Sequence, residues 1–152
     1  MSLSKAAWGN ITWLLIHTLT YKLKDTEVEH IPHLWKVLVY ICTTLPCDDC
    51  SAHAKRYLMA QSSPPSTKQK LISYFWHMHN TINTRLNKPN MSVTDFKNKY
   101  KLANLRNISI RFIETFSLNT HATKGMLNTF SRNLLTSNFK KYINENHHRY
   151  NI

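Results

Sequence analysis

Leu45-Pro46-Cys47-Asp48-Asp49-Cys50-Ser51-Ala52-His53-Ala54 is the stretch on which the reading of this chain turns. Pro46 lacks an amide proton and restricts the residue before it, so a helix running into it stops there. Upstream, Ile31, Leu34, Leu38, Ile41 and Leu45 recur at spacings of three and four, the apolar stripe of a helix that begins near Pro32. Downstream, Asp48 and Asp49 suit the first turn of a short new helix through Leu58, because carboxylates favour a helix N-terminus. The two cysteines therefore stand three apart, where one helix ends and the next begins.

Working outward, Gln61-Ser62-Ser63-Pro64-Pro65-Ser66-Thr67 is the clearest loop in the chain. It leads into a long helix over about Lys68–Asn87, with Leu71, Ile72, Phe75, His79, Ile82 and Leu86 on its inner side, closed by Lys88-Pro89-Asn90. Ser92 is a candidate N-cap for a further helix in which Phe96 and Tyr100 share a face. On the other flank, Trp8 to about Leu23 reads as the first helix, with Gly9, Trp13 and His17 at successive i+4 positions. Beyond residue 104 the pattern weakens. Ile108, Ile110, Phe112 and Ile113 suit a strand or a helix start equally, and a helix fits over 124–144. The expected fold is all-α: a four- to five-helix bundle over 1–104, with a C-terminal extension over 105–152 for packing, dimer or partner contact.

Composition bounds the rest. A chain of 152 residues with 42% hydrophobic content supports one domain with a real core. Only 2 Gly and 5 Pro argue against a many-stranded sheet, which needs turn residues at short intervals. The net charge of +12 invites a nucleic-acid reading, but the basic residues are dispersed rather than run together, so a solvated surface is preferred. A basic surface also steers acidic protein partners. No apolar stretch approaches the roughly 18–20 residues needed to span a bilayer. The opening residues lack a basic-then-apolar signal pattern, and Arg is absent before Arg56, so an intracellular setting without a signal peptide is expected.

With 3 cysteines there is no disulfide framework of the secreted kind. Cys47 and Cys50 can close a disulfide, and helix N-terminal amides stabilise the thiolate that exchanges it. The competing zinc reading needs about four Cys or His ligands. There is no second Cys pair, and His77 and His79, two apart, point to different faces of a helix, so no metal is expected. Cys42 sits within the second helical stripe and reads as a buried small side chain. Taken singly, Trp8 and Trp13 read as core aromatics, and His17 or His79 as hydrogen-bonded core histidines. Trp35 and Trp76 read as structural. His79-Asn80 with Asn83 is harder to place in a core, because polar groups on one helical arc cost stability unless something satisfies them.

Three blocks in fixed order change those odds. Trp8-Gly9 with Trp13 and His17 resembles the W-G-x-x-x-W-x-x-x-H opening of the Erv/ALR flavin-linked sulfhydryl oxidases. Leu45-Pro46-Cys47-Asp48-Asp49-Cys50 followed by His53-Ala54 is similar to their redox segment, most of all in forms encoded by large DNA viruses. The run from His79-Asn80 through Asn83 and Leu86 to Lys88 resembles the family's H-N-x-V-N-x-x-L-x-K block. The resemblance covers roughly residues 8–100.

It implies a helical bundle holding FAD, with Cys50 as the flavin-proximal sulfur and Cys47 as the one that meets substrate. Trp8, Gly9, Trp13 and His17 match positions lining the flavin, and His53 and Tyr57 follow on the helix after the pair. His79, Asn80 and Asn83 match the adenine and ribose side, Lys88 a phosphate-binding lysine, and Tyr100 an aromatic contact. Arg85 is a second candidate for the diphosphate, since no Gly-rich phosphate loop exists. The implied activity is thiol oxidation: disulfides form in partner proteins, and electrons pass through FAD to molecular oxygen with release of hydrogen peroxide. The implied partners are a dithiol protein or a thioredoxin-like shuttle and a second copy in a homodimer, with no membrane. A viral-type member would act in the host cytoplasm or virion. The family's additional shuttle Cys pair and its extra structural disulfide are missing. The alternative reading is a basic nucleic-acid-binding or scaffold protein whose Cys/His cluster is structural.

Overall fold

In the computed structural model, which describes residues 5–117 and 129–152, the described residues form seven α-helices and no strand. These are α1 (Lys5–Lys22), α2 (Ile31–Thr43), α3 (Asp48–Met59), α4 (Lys68–Arg85), α5 (Val93–Lys101), α6 (Leu105–Ser117) and α7 (Thr129–Asn146), with 3-10 turns at Val28–His30 and His147–Arg149. The helix starts follow local chemistry. Thr67 Oγ1 accepts from the Lys70 amide at 3.1 Å, and Ser92 Oγ accepts from the Asp95 amide at 3.1 Å. At the end of α4 the chain turns through Asn87 at φ 55, the left-handed conformation that Asn tolerates better than most residues.

Helix α1 is the axis of the molecule. Ile11, Leu15, Ile16, Leu19, His17, Thr18 and Thr20 are all buried, so no single apolar stripe describes it. It packs against α4, α5 and α6; α6 in turn packs on α7, and α2 on α3. Thr12 and Thr18 return their hydroxyls to the carbonyls of Trp8 and Leu14, both at 2.6 Å, which is how a buried helix face carries threonine.

The segment that suited strand or helix equally is helix α6. Leu105, Ile108, Phe112 and Phe116 are buried at helical spacing, while Ile110 is 45% exposed. The helical period wins because α1 offers a helix surface to pack on, and no partner strand exists among the described residues. In α7, helix runs from residue 129; positions 124–128 of the sequence-based expectation lie outside the described residues. Leu86, assigned to the inner side of α4, is exposed, because the helix has already ended at Arg85. Phe112, Phe116, Leu135, Phe139, Tyr142 and Tyr150 share one core with Trp8, Leu15 and Leu34. The C-terminal residues are also latched to the end of α1. Asn151 donates to the Lys22 carbonyl at 2.7 Å, Lys24 to that of Arg149 at 2.9 Å, and Arg149 pairs with Glu27 at 2.6 Å. No described helix is long and apolar enough to cross a membrane.

Candidate active site at the Cys47–Cys50 pair

Pro46 is buried and breaks the chain between α2 and α3, so Cys47 takes an extended conformation (φ −148, ψ 115) as the N-cap of α3. Its sulfur accepts from the Cys50 amide at 3.4 Å, the cap bond an oxygen would normally make. The two sulfurs are 2.7 Å apart, well inside ordinary non-bonded contact, so a disulfide closes with little movement. Both cysteines are half-buried. Ser51 staples the turn: its Oγ accepts from the Leu45 amide at 2.9 Å and donates to the Leu45 carbonyl at 3.2 Å. Nothing in the sequence marked Ser51, because its partner lies across the proline. Asp48 and Asp49 are exposed, where solvent screens their charge. By contrast Cys42 is buried in the core, and desolvation pushes its thiol up to about 12.

A second cluster forms where α1, α4 and α5 meet. Trp13 lies flat on His79, ring centroids 4.1 Å apart and 3° from parallel, and His17 is within 18° of both. His17 Nε2 and His79 Nδ1 are 2.8 Å apart. Phe96 meets His17 edge-on at 5.0 Å, and Tyr100 leans on it at 5.2 Å. His17 is completely buried, whereas Trp13 and His79 are half-buried, so the stack keeps an open side. Burial first, then the Lys99 and Lys88 ammonium groups, lowers His79 to about 4. Burial, His79 and Lys99 hold His17 well below its usual value. Both imidazoles are therefore neutral at pH 7. Lys99 was not singled out in the sequence, where it is one of three alternating lysines; packing of α5 brings it to the histidines.

The remaining candidates surround these two groups unevenly. Trp8 is buried, and its Nε1 has no hydrogen-bond partner, as is true of His17 Nδ1. A Cβ added at Gly9 would meet nothing within 4 Å. Asn80 spends both ends of its amide on Met91, donating to the carbonyl at 3.1 Å and accepting from the amide at 3.0 Å. Trp76 Nε1 donates to the same carbonyl at 3.0 Å, so these two residues hold the α4–α5 loop. Asn83 is half-buried; Arg85 and Lys88 are exposed just beyond it. His53 is exposed with Arg56 Nη2 2.7 Å from its Nδ1, and its pKa is lowered by partial desolvation and then by Arg85 and Arg56. Tyr57 packs against Tyr74 at 5.5 Å and accepts its hydroxyl proton on the backbone carbonyl at 3.3 Å.

This donor set fits FAD. Parallel rings with an open side take a planar ring system. Gly9 leaves room beside them, at a position where the helix itself would favour alanine. Two buried ring nitrogens, Trp8 Nε1 and His17 Nδ1, lack partners, which a polar ring edge can satisfy. Lys88 and Lys99 have no carboxylate in salt-bridge range among the described residues, and a diphosphate would supply the countercharge.

An all-α bundle that presents a Cys-x-x-Cys pair at the start of α3, and a Trp/His stack where α1, α4 and α5 meet, defines a class of thiol-disulfide protein. A family model, that of the Erv1 / Alr family, matches residues 10–101, and the chain belongs to that family. The chain is similar to relatives that carry the name FAD-linked sulfhydryl oxidase. One assigned to invertebrate iridescent virus 3 is 27% identical over 105 residues, spanning 67% of this chain and 71% of the relative. One from African swine fever virus (isolate Tick/Malawi) is 29% identical over 103 residues, spanning 66% and 86%. One from Oryza sativa is 28% identical over 88 residues, spanning 57% of this chain and under half, 45%, of its own length. No solved structure matches.

Proposed function

We propose that this protein is an FAD-linked thiol oxidase whose working disulfide is Cys47–Cys50. The observation that carries the reading is the 2.7 Å sulfur pair capping α3, in a member of the Erv1/Alr family. A substrate thiolate attacks Cys47 Sγ, forming a mixed disulfide and releasing Cys50 as thiolate. A second substrate thiolate attacks the substrate sulfur of that bond, so the oxidised product leaves and Cys47 is freed. The substrate has lost two electrons and two protons, which the Cys47/Cys50 dithiol now holds. Bound FAD supplies the two-electron acceptor that reoxidises this pair, with oxygen as terminal acceptor and hydrogen peroxide as product.

In this reading Trp8, Gly9, Trp13, His17, His53 and Tyr57 line the isoalloxazine side, and His79, Asn83 and Tyr100 the adenine and ribose side. Arg85, Lys88 and Lys99 meet the diphosphate. Asn80 acts through Met91, by setting the loop that carries Lys88. The neutral His17–His79 pair offers hydrogen bonds without a buried charge to oppose the lysines. Cys42 is buried, and in this reading the thiols come from a partner: a dithiol protein or a thioredoxin-like shuttle. Residues 105–152, a homodimer and action in a host cytoplasm or virion belong to the same proposal. The test is purification: yellow protein that consumes oxygen with dithiothreitol, and a Cys50→Ser form that keeps the colour but not the turnover. Colourless protein that binds duplex DNA in a salt-sensitive manner would overturn it in favour of the nucleic-acid alternative.

A further inference from the structure

Helices α6 and α7 and the C-terminal residues enclose a cleft of about 780 Å³ that has no part in the site above. Its walls are two helical stripes, Arg106, Ser109 and Ile113 on α6, facing Lys140, Ile143 and Asn144 on α7. Ile113 and Ile143 pack on the core and give an apolar floor, while Ile110, 45% exposed, forms part of the rim. Set into it is Ser109, only 4% exposed, whose Oγ has no hydrogen-bond partner. A helical serine ordinarily returns its hydroxyl to a carbonyl one turn back, and this one does not. Arg106 and Lys140 are exposed with no carboxylate in salt-bridge range among the described residues, and no Asp or Glu lines the cleft.

From this we infer that the α6–α7 cleft is a docking site for an acidic, extended peptide segment of a partner protein, anchored by an aliphatic side chain. The anchor takes the isoleucine floor, the peptide backbone satisfies Ser109 and the Asn144 amide, and flanking carboxylates meet Arg106 and Lys140. A fatty-acid anion matches the floor and one cation but sets methylene against the buried hydroxyl, which favours the peptide. Because neither cysteine of the pair lines the cleft, such a segment holds a partner without occupying the cysteine pair and raises its local concentration there.

The test is NMR titration of the ¹⁵N-labelled full chain with a short synthetic peptide, two Leu flanked by Asp and Glu; it involves no redox step, so its outcome is separate from that of the oxidase reading. Saturable shifts within 104–113 and 140–152, weakened at least ten-fold in the Arg106→Glu/Lys140→Glu double variant, support the site. Ser109→Ala removes the hydroxyl at nearly constant volume; weaker peptide binding together with a raised Tm supports it as well. Equal affinity for a Leu-to-Ser peptide, unchanged affinity in Ser109→Ala, shifts centred on Trp13 and His79, or binding of oleate but not peptide would each overturn it.

Discussion

Nε2 of His17 and Nδ1 of His79 approach to 2.8 Å, a bond between α1 and α4 that closes 62 residues of chain. One proton serves both nitrogens, so the pair holds together only while one ring is an unprotonated acceptor. His79 is lowered to about 4 from 6.5, and His17 also lies well below 6.5, burial being the first cause in each. Below 6.5 the unfolded chain therefore binds protons that the native state refuses, and the stability present above that pH is lost as pH falls toward 4. Buried His30, lowered to about 4, acts in the same direction. Thermal unfolding from pH 8 to 4 should show a nearly constant Tm above 7 and a decline below 6.5, shallower in His79→Gln. A Tm that rises on acidification would contradict the neutral pair.

The roles of the two sulfurs are separable. Cys50→Ser and Cys47→Ser should each lower oxygen consumption with dithiothreitol on the order of 10³-fold or more, as expected when one member of a catalytic unit is removed. Only Cys50→Ser should accumulate a mixed disulfide, formed when its Cys47 thiolate attacks the disulfide of an added oxidised partner protein, seen on non-reducing gels. Trapping by Cys47→Ser instead would reverse the assignment.

Lys88 and Lys99 carry the proposed diphosphate contact. Replacing either by Ala should weaken flavin retention roughly 10-fold, the scale of one charge-assisted hydrogen bond at about 1.5 kcal/mol. The loss should shrink as salt screens the native protein too. Flavin fluorescence released on dilution measures it.

Cys42 should resist alkylation. Its thiol, raised to about 12 inside the core, has almost no thiolate at pH 8, whereas the half-buried pair is open to solvent. After reduction, iodoacetamide followed by mass spectrometry should label Cys47 and Cys50 in the native protein and reach Cys42 only in denaturant.

Phe112 is fully buried between α1 and α7, with Phe116 stacked at 4.4 Å and Phe139 edge-on at 5.3 Å. Phe112→Ala should cost about 3–5 kcal/mol in one cooperative transition that includes the flavin site. A chain ending at residue 104 uncovers the α6-facing side of α1 and should not unfold cooperatively. Two resolved calorimetric transitions in the full chain would show instead that 105–152 is a separate unit.

Helices α1 to α5 were legible because their signals are local: the Pro46 break, the Ser92 cap and the apolar spacing of Leu71, Phe75 and Ile82 each act within a turn or two. The candidate residues were legible as motifs, but their contacts were not. Asn80 clamping Met91, Ser51 stapling Leu45 and Lys99 arriving beside His79 each depend on how separate segments pack. Helix α6 was ambiguous because four apolar residues within six satisfy both periods until a partner surface is present.

The chain's own order of residues settled what is written in short-range terms: an all-helical build, where helices begin and stop, and two cysteines held at a helix start. Only the assembled fold decided that His17 and His79 share a proton, that Asn80 spends its amide on Met91, and that α6 packs on α1 with α7 behind it. Helix formation is governed by neighbours three and four positions away, whereas burial and shared hydrogen bonds are set by segments dozens of residues apart.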